Sequence, residues 1–408
     1  MGNLNTEELL IAICSLVVLS YIFSILSRYI RIPSVLLLLF AGIGLRYLAD
    51  RFALDIVFPA KFVEALGVVG LIMIVLEAGL DLKLERSKLK LIRDSFFSAL
   101  VIFIISAALI TGILHYWLAE PIKKCIVYAI PLSIMSSSIV IPSLHPVSAA
   151  KKEFLIYEAS ISDIVGIMVF NYFIAAEIMT GRSLGVFGGT IVISIVLSLL
   201  FSFILLLILA KTKLNIKFFL IFSLLVLIYA GGKIFHLPSL IIILVFGLMI
   251  NNWENAGEKT GEIFSSRKSG IHSSPLAFYH GRIFFPCPDF LFHPVRVFNT
   301  SGFYWENEVL LVGGMVVLAL LLVRFLYLRF FLHTNIFPEV VFIPRGLITI
   351  VLFYKIPASM MLTSFNEGIL FFIILSTSII MTIGMLFYKK GNEDVVGETQ
   401  FSERSDIL

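Results

Sequence analysis

The stretch that decides the fold reads Tyr157-Glu158-Ala159-Ser160-Ile161-Ser162-Asp163-Ile164-Val165-Gly166. It lies inside a predicted apolar segment, residues 153–179, and carries two carboxylates where a lipid-facing helix would carry none. Charged side chains inside a membrane span are costly and therefore mark its functional interior. At a helical spacing of five residues, Glu158 and Asp163 lie about 140° apart around the helix. We therefore expect them to contact different partners.

The rest of the chain has the composition of a membrane protein. Of its 408 residues, 59% are apolar and 14% are charged, whereas a soluble domain has about 25% charged residues. A spanning helix needs about 20 apolar residues, and twelve such runs can be read. They are 8–27, 33–49, 62–80, 95–118, 124–143, 153–179, 185–210, 217–235, 237–251, 308–330, 338–356 and 367–388. We therefore predict an all-α polytopic membrane protein.

The positions of lysine and arginine predict the topology, because these residues concentrate in cytoplasmic loops. Basic residues follow the odd-numbered predicted spans, for example Lys83 to Arg93 and Lys151-Lys152, which places the N-terminus outside. The pair Lys389-Lys390 then lies inside only if an odd number of spans precedes it. We therefore predict that part of 276–306 crosses or re-enters the membrane as a thirteenth span, although its prolines and charges are atypical of a lipid-facing helix.

Several function classes are disfavoured by composition. The net charge of +4 is small and scattered, which argues against nucleic-acid binding. The three cysteines, Cys14, Cys125 and Cys287, lie far apart, so neither a disulfide framework nor a thiolate metal site is indicated. The loops are too short to hold a catalytic domain. We predict no enzyme activity and no cofactor, and we interpret the polar tail 391–408 as a solvated end.

Two buried arginines accompany the two carboxylates. Arg324 and Arg345 lie inside later predicted spans. A buried carboxylate left alone would take up a proton, whereas one paired to arginine stays ionised. The residues allow two interpretations: two structural ion pairs, or one ion pair plus one carboxylate that is free to titrate.

Two predicted spans are interrupted by residues that break helices. When the proposed crossing in 276–306 is counted as the tenth span, 338–356 becomes the twelfth. The fifth span contains Ser136-Ser137-Ser138 between Pro131 and Pro142, and the twelfth contains Pro344-Arg345-Gly346. Broken helices at corresponding positions of two halves indicate an inverted-repeat transporter with its ion site near the midplane.

These motifs together resemble the cation:proton antiporter superfamily, sodium/proton exchanger type. The string Glu158-Ala-Ser-Ile-Ser162-Asp163 is similar to the family's sixth span, in which a Glu is followed by four residues and an Asp. Leu320 to Phe325 resembles its eleventh span, Pro344 to Leu347 its twelfth, and Leu76 to Asp81 a segment of its third. The resemblance covers most of residues 8–388. It implies thirteen spans, with the fifth and twelfth broken where they cross.

The resemblance also implies residue roles. Asp163 would bind a proton and the transported Na⁺ or K⁺ in alternation, with further oxygens from Ser162, Ser137 and Ser138. Glu158 would pair with Arg324, and Arg345 would neutralise carbonyls or helix ends near the crossing. Ser162 stands where the family commonly has Asn or Asp, which leaves one titratable group and implies electroneutral exchange. The serine run lacks the acidic residue of some sodium-selective branches, so Na⁺ and K⁺ both remain open.

The family's fold implies a division of the chain into a moving core and a dimerising scaffold. The scaffold would comprise 1–92 and 212–306, the core 93–181 and 307–390, and the bridging helix 182–211, followed by the cytoplasmic tail 391–408. We expect a homodimer in the lipid of a bacterial inner membrane, with pH homeostasis as its role. The atypical stretch 262–306 is either a natural variant of the tenth span or a locally shifted reading frame. The alternatives are an ion channel or organic-anion carrier of the same broad fold, or an impaired remnant that does not transport.

Overall fold

The computed structural model describes residues 88–144, 147–175, 217–234, 242–249, 307–332 and 337–388, together with scattered positions before residue 88, between 189 and 204, and at 252. Among these residues the structure is helical and contains no strand. The helices with defined bounds are α1 Leu89–Leu118, α2 Ile122–Ser133, α3 Ser137–Ser143, α4 Ala149–Ala175, α5 Lys217–Ile234, α6 Asn307–Tyr327, α7 Leu347–Phe353 and α8 Glu367–Phe387. The atypical stretch 262–306, the thirteenth crossing and the tail 391–408 lie outside the described residues.

Four of the described helical segments are long and apolar enough to cross a membrane. They are Leu89–Leu118, Ile122–Ile141, Asn307–Phe331 and Glu367–Phe387. Their outer faces expose large apolar side chains such as Phe97 and Leu318, which a soluble protein would bury. The chain is therefore a multi-pass membrane protein.

Two helical paths are interrupted within the described residues, at 134–136 and at 342–346. Helix α2 ends at Ser133, Ile134 and Ser136 are extended, and α3 begins at Ser137. The second path runs from a 3-10 turn at Glu339–Val341 through non-helical residues to α7. The backbone N–H of Ser136 donates to the carbonyl oxygen of Pro344 at 3.0 Å. The two interruptions thus satisfy one another's backbone groups, as a low-dielectric interior requires.

The chain divides into two compact units. The first consists of Met1–Val63, Lys90–Ile174 and Pro286–Leu408, and the second of Glu64–Leu89 and Ala175–Phe285. Within the first unit, α6 packs against α8 and α7 packs against α2. This unit holds all the residues that the sequence singled out as an ion site.

Within the second unit, two helical segments approach closely at a pair of glycines. A Cβ atom on Gly79 would lie 2.6 Å from the carbonyl oxygen of Leu244, and one on Gly247 would lie 2.8 Å from that of Leu76. Small residues allow helix backbones to touch in a membrane, where packing replaces the hydrophobic effect as the force between helices.

Candidate functional site

Glu158 and Arg324 form a buried, bidentate ion pair. The Nη1 atom of Arg324 donates to Oε1 of Glu158 at 3.1 Å, and Nη2 donates to Oε2 at 2.8 Å. The Nε atom donates to the carbonyl oxygen of Glu339 at 2.5 Å, and the Ser98 hydroxyl donates to Glu158 Oε1 at 2.6 Å. Every guanidinium nitrogen is therefore engaged, and the pair joins α4 to α6 and α1 with the geometry of a strong, charge-assisted contact.

Asp163 is buried in a different way. Its Oδ2 atom accepts the backbone N–H of Ser137 at 3.3 Å and also the Ser137 hydroxyl. Its Oδ1 atom is buried and has no hydrogen-bond partner among the described residues. The residue is 2% exposed, so bulk solvent has almost no access to it.

Arg345 binds carbonyl oxygens at the interruptions. Its Nε atom donates to the carbonyl of Leu132 at 2.6 Å and Nη1 to that of Ile343 at 3.1 Å. These groups belong to the last turn of α2 and to the non-helical segment before α7. Because Arg324 pairs with Glu158 and Arg345 binds carbonyls, neither buried arginine forms an ion pair with Asp163 in the described structure.

The serines singled out by the sequence take different positions. Ser137 contacts Asp163 directly. The hydroxyl of Ser162 accepts the backbone N–H of Met135 at 3.0 Å, and Ser138 shares a 2.9 Å hydrogen bond with Ser136. Ser162 therefore supports the backbone of the first interruption, whereas Ser138 contacts a hydroxyl within it.

Sequence reasoning missed an extension of the ion pair. The Nζ atom of Lys151 donates to Oε2 of Glu339 at 3.3 Å and to the carbonyl oxygen of Phe337 at 3.1 Å. Glu339 in turn offers its carbonyl oxygen to Arg324. Lys151 precedes Glu158 by seven residues, which is two helical turns and the same face. That spacing was the sequence feature that could have indicated Lys151 as part of the ion-pair cluster.

The chain matches the family model described as sodium/hydrogen exchanger, transmembrane, over residues 14–390. The chain belongs to the sodium/hydrogen exchanger family. The resemblance inferred from its motifs is thereby confirmed, and the activity class of this exchanger is cation/proton antiport across a membrane.

Solved structures share the fold of the exchanger. The sodium proton antiporter MjNhaP1 from Methanocaldococcus jannaschii at pH 8 aligns with a TM-score of 0.63 at 18% identity, covering 93% of this chain and 96% of that one. An electron-microscopy map of the same antiporter gives a TM-score of 0.63 at 18% identity and covers 95% and 100% of the two chains. No match was found among curated protein sequences.

Proposed function

We propose that this chain exchanges one Na⁺ or K⁺ for one H⁺ by alternating access, with Asp163 as the shared site. The observation that carries the proposal is the Oδ1 atom of Asp163, which is buried and has no hydrogen-bond partner among the described residues. A buried carboxylate needs a counter-charge, and Arg324 and Arg345, the arginines that are buried in the described part of the chain, are engaged elsewhere. A proton or a cation must therefore supply it, and their competition for one carboxylate enforces the exchange.

The cation would be held by oxygens around the first interruption. A hard cation prefers several oxygen ligands, and unwound backbone at a broken helix can provide them. Asp163 Oδ1 and the Ser137 hydroxyl are the primary ligands in this proposal. Ser162 and Ser138 can join them, because a hydroxyl that accepts one hydrogen bond keeps a second lone pair.

The remaining assignments follow the family resemblance. Spans 5 and 12 would be broken where they cross, within a thirteen-span inverted repeat. Glu158 and Arg324 would join spans 6 and 11 of a moving core, which would slide against a dimerising scaffold. The N-terminus would face outside and the C-terminus the cytoplasm of a bacterial cell. That MjNhaP1 is a sodium proton antiporter makes Na⁺ the first cation to test.

The test is proton flux in proteoliposomes on addition of Na⁺, K⁺ or Li⁺. We expect saturable flux from the wild-type chain and none from Asp163→Asn, because the amide cannot exchange a proton for a cation. Asp94→Asn is the matched control, since Asp94 is an exposed carboxylate that pairs with Arg93 at the start of α1, and it should transport normally.

Each contrary outcome has a defined meaning. Cation-driven proton flux through Asp163→Asn would overturn the assignment of the site. Voltage-driven current without counter-ion dependence would favour a channel. Purified, folded wild-type chain without flux would favour an impaired remnant.

A further inference from the structure

Three side chains at the start of α2 hold the loop between α7 and α8. Lys124 and Tyr128 are spaced by four residues and so lie on one face of α2, and Glu120 lies two residues before α2 begins at Ile122. Lys124 Nζ donates to the carbonyl of Met361 at 2.9 Å, and the Tyr128 hydroxyl accepts the N–H of Leu362 at 3.1 Å. We call Glu120, Lys124 and Tyr128 the loop clamp.

Glu120 is the centre of the loop clamp. Its Oε1 atom accepts the backbone N–H and the hydroxyl of Thr363, at 2.9 and 2.5 Å, and the corresponding groups of Ser364 at 3.3 and 3.4 Å. Hydrogen bonds to a carboxylate are about twice as strong as neutral ones. One buried side chain thus satisfies loop N–H groups that lie before α8 begins. The proposed transport mechanism makes no use of this carboxylate.

The aromatic ring of Tyr128 extends the loop clamp to the end of α7. It packs edge-on against Phe353 at a centroid distance of 5.0 Å and tilted against Phe365 at 4.9 Å. Phe353 is the last residue of α7. A helix of seven residues has little stability of its own, so its position depends on contacts of this kind.

A second contact fixes the other end of the same pair of helices. Arg345, just before α7, donates to the Leu132 carbonyl in the last turn of α2. The loop clamp joins the start of α2 to the far end of α7. Two attachment points at opposite ends of a helix pair prevent one helix from pivoting on the other.

We propose that the loop clamp is a positioning device for transport, which keeps the two interrupted segments together as one moving body throughout the cycle. This inference rests on the proposed function. The contact stays closed in every state, and its loss lets α7 move independently of α2. The turnover rate then falls, while cation affinity is retained, because Asp163 and Ser137 lie on α4 and α3.

The first experiment compares Glu120→Ala with Glu367→Gln. Glu367 is a carboxylate near the same loop that accepts the Tyr354 hydroxyl within the C-terminal segment, so it controls for loss of a carboxylate. In Glu120→Ala, the rate of hydrogen exchange at residues 361–364 should rise at least tenfold, and the faster exchange should extend to residues 347–353. The maximal transport rate should fall several-fold while the KM for the cation stays unchanged. Glu367→Gln should change neither quantity. Faster hydrogen exchange with an unchanged transport rate, or unchanged hydrogen exchange, would overturn the proposal.

The second experiment distinguishes a fixed clamp from a gate. Glu120→Cys and Thr363→Cys are combined in a transport-competent background lacking Cys14, Cys125 and Cys287, and the pair is joined with a short bis-methanethiosulfonate. We expect the unlinked protein to be slow and cross-linking to restore its rate. Loss of transport on cross-linking would mean that the contact opens during the cycle, contrary to the proposal.

The two proposals fail separately. If the wild-type chain shows no cation-driven proton flux, the proposed function is wrong. Hydrogen exchange still tests the loop clamp in that case, because protection of 347–353 that is independent of Glu120 would refute it.

Discussion

At the scale of single residues, Glu158 and Arg324 form the contact that should be most sensitive to one-sided substitution. Both side chains are at most 2% exposed, and removing one partner of a buried ion pair costs about 3–5 kcal/mol because the other charge is left uncompensated. We predict that Arg324→Met lowers the free energy of unfolding by this amount, measured by denaturant unfolding in detergent. The double variant Glu158→Met/Arg324→Met should recover much of it. Additive losses in the double variant would contradict the prediction.

Glu120 gives a prediction about pH. The hydroxyl of Thr363, followed by the Thr363 backbone N–H, lowers the pKa of Glu120 from its ordinary value of 4.5. Because the folded pKa is depressed, the stabilisation is fully present above about pH 4.5 and is lost as the pH falls through the lowered value. The difference in melting temperature between the wild-type chain and Glu120→Gln should therefore be constant above about pH 5.5 and shrink in stronger acid. A difference that changes between pH 6 and 8 would contradict this.

The sequence identified those residues of the site whose type is rare inside an apolar segment. Charges inside apolar runs are few, so Glu158, Asp163, Arg324 and Arg345 stood out, and the structure brings all four into one unit. Ser98 did not stand out, because hydroxyls are common in membrane helices. In the sequence, Glu120 and its partners look like ordinary loop residues, because the loop that they contact lies more than 200 positions away in the chain.

At the scale of elements, apolar runs predicted the helices but not their polar ends. The fourth predicted span begins at residue 95, whereas α1 begins at Leu89. The added residues include Arg93 and Asp94, which are exposed and pair with each other. Hydropathy does not register a helical turn that projects beyond the apolar region, whereas backbone hydrogen bonding continues through it.

Gly346 gives a prediction about the interruptions. A Cβ atom there would lie 2.5 Å from the Ser136 hydroxyl oxygen and 2.8 Å from Cδ1 of Ile139, so alanine must push the second interruption away from the first. We expect Gly346→Ala to reduce transport at least tenfold and to lower the melting temperature. Gly314→Ala in α6 is the matched control, since no atom of a described residue lies within 4 Å of its added Cβ. It should be neutral or stabilising, because alanine is the better helix former. Equal behaviour of the two variants would argue against close contact between the interruptions.

At the scale of the whole molecule, the sequence was sufficient for class and family but not for packing. In α1 the buried face carries Ser95, Ser98 and Ser106, whereas the exposed face carries Phe97 and Ile104. The buried face also carries Ile102, Phe103 and Ile110. Large apolar side chains therefore lie on both faces of α1, because lipid tails are as apolar as leucine and small polar residues join helices. Apolar periodicity therefore could not indicate which helices pack together. The charged motifs could indicate which helices pack together, because a buried charged residue must contact a partner.

Charge balance gives the last prediction, which concerns voltage. In the proposed exchange, Glu158 and Arg324 cancel each other, Arg345 keeps its charge throughout, and Asp163 is neutralised once, by either a proton or one monovalent cation. The moving body then carries the same net charge across the membrane in both directions. One net charge moved per cycle through 100 mV is worth about 2.3 kcal/mol, which would shift the equilibrium cation gradient about fiftyfold. We expect an imposed potential of about 100 mV, verified with a voltage-sensitive dye, to leave unchanged the cation gradient at which net proton flux stops. A gradient that shifts with the potential would mean that a net charge moves in each cycle, and that Asp163 does not act alone.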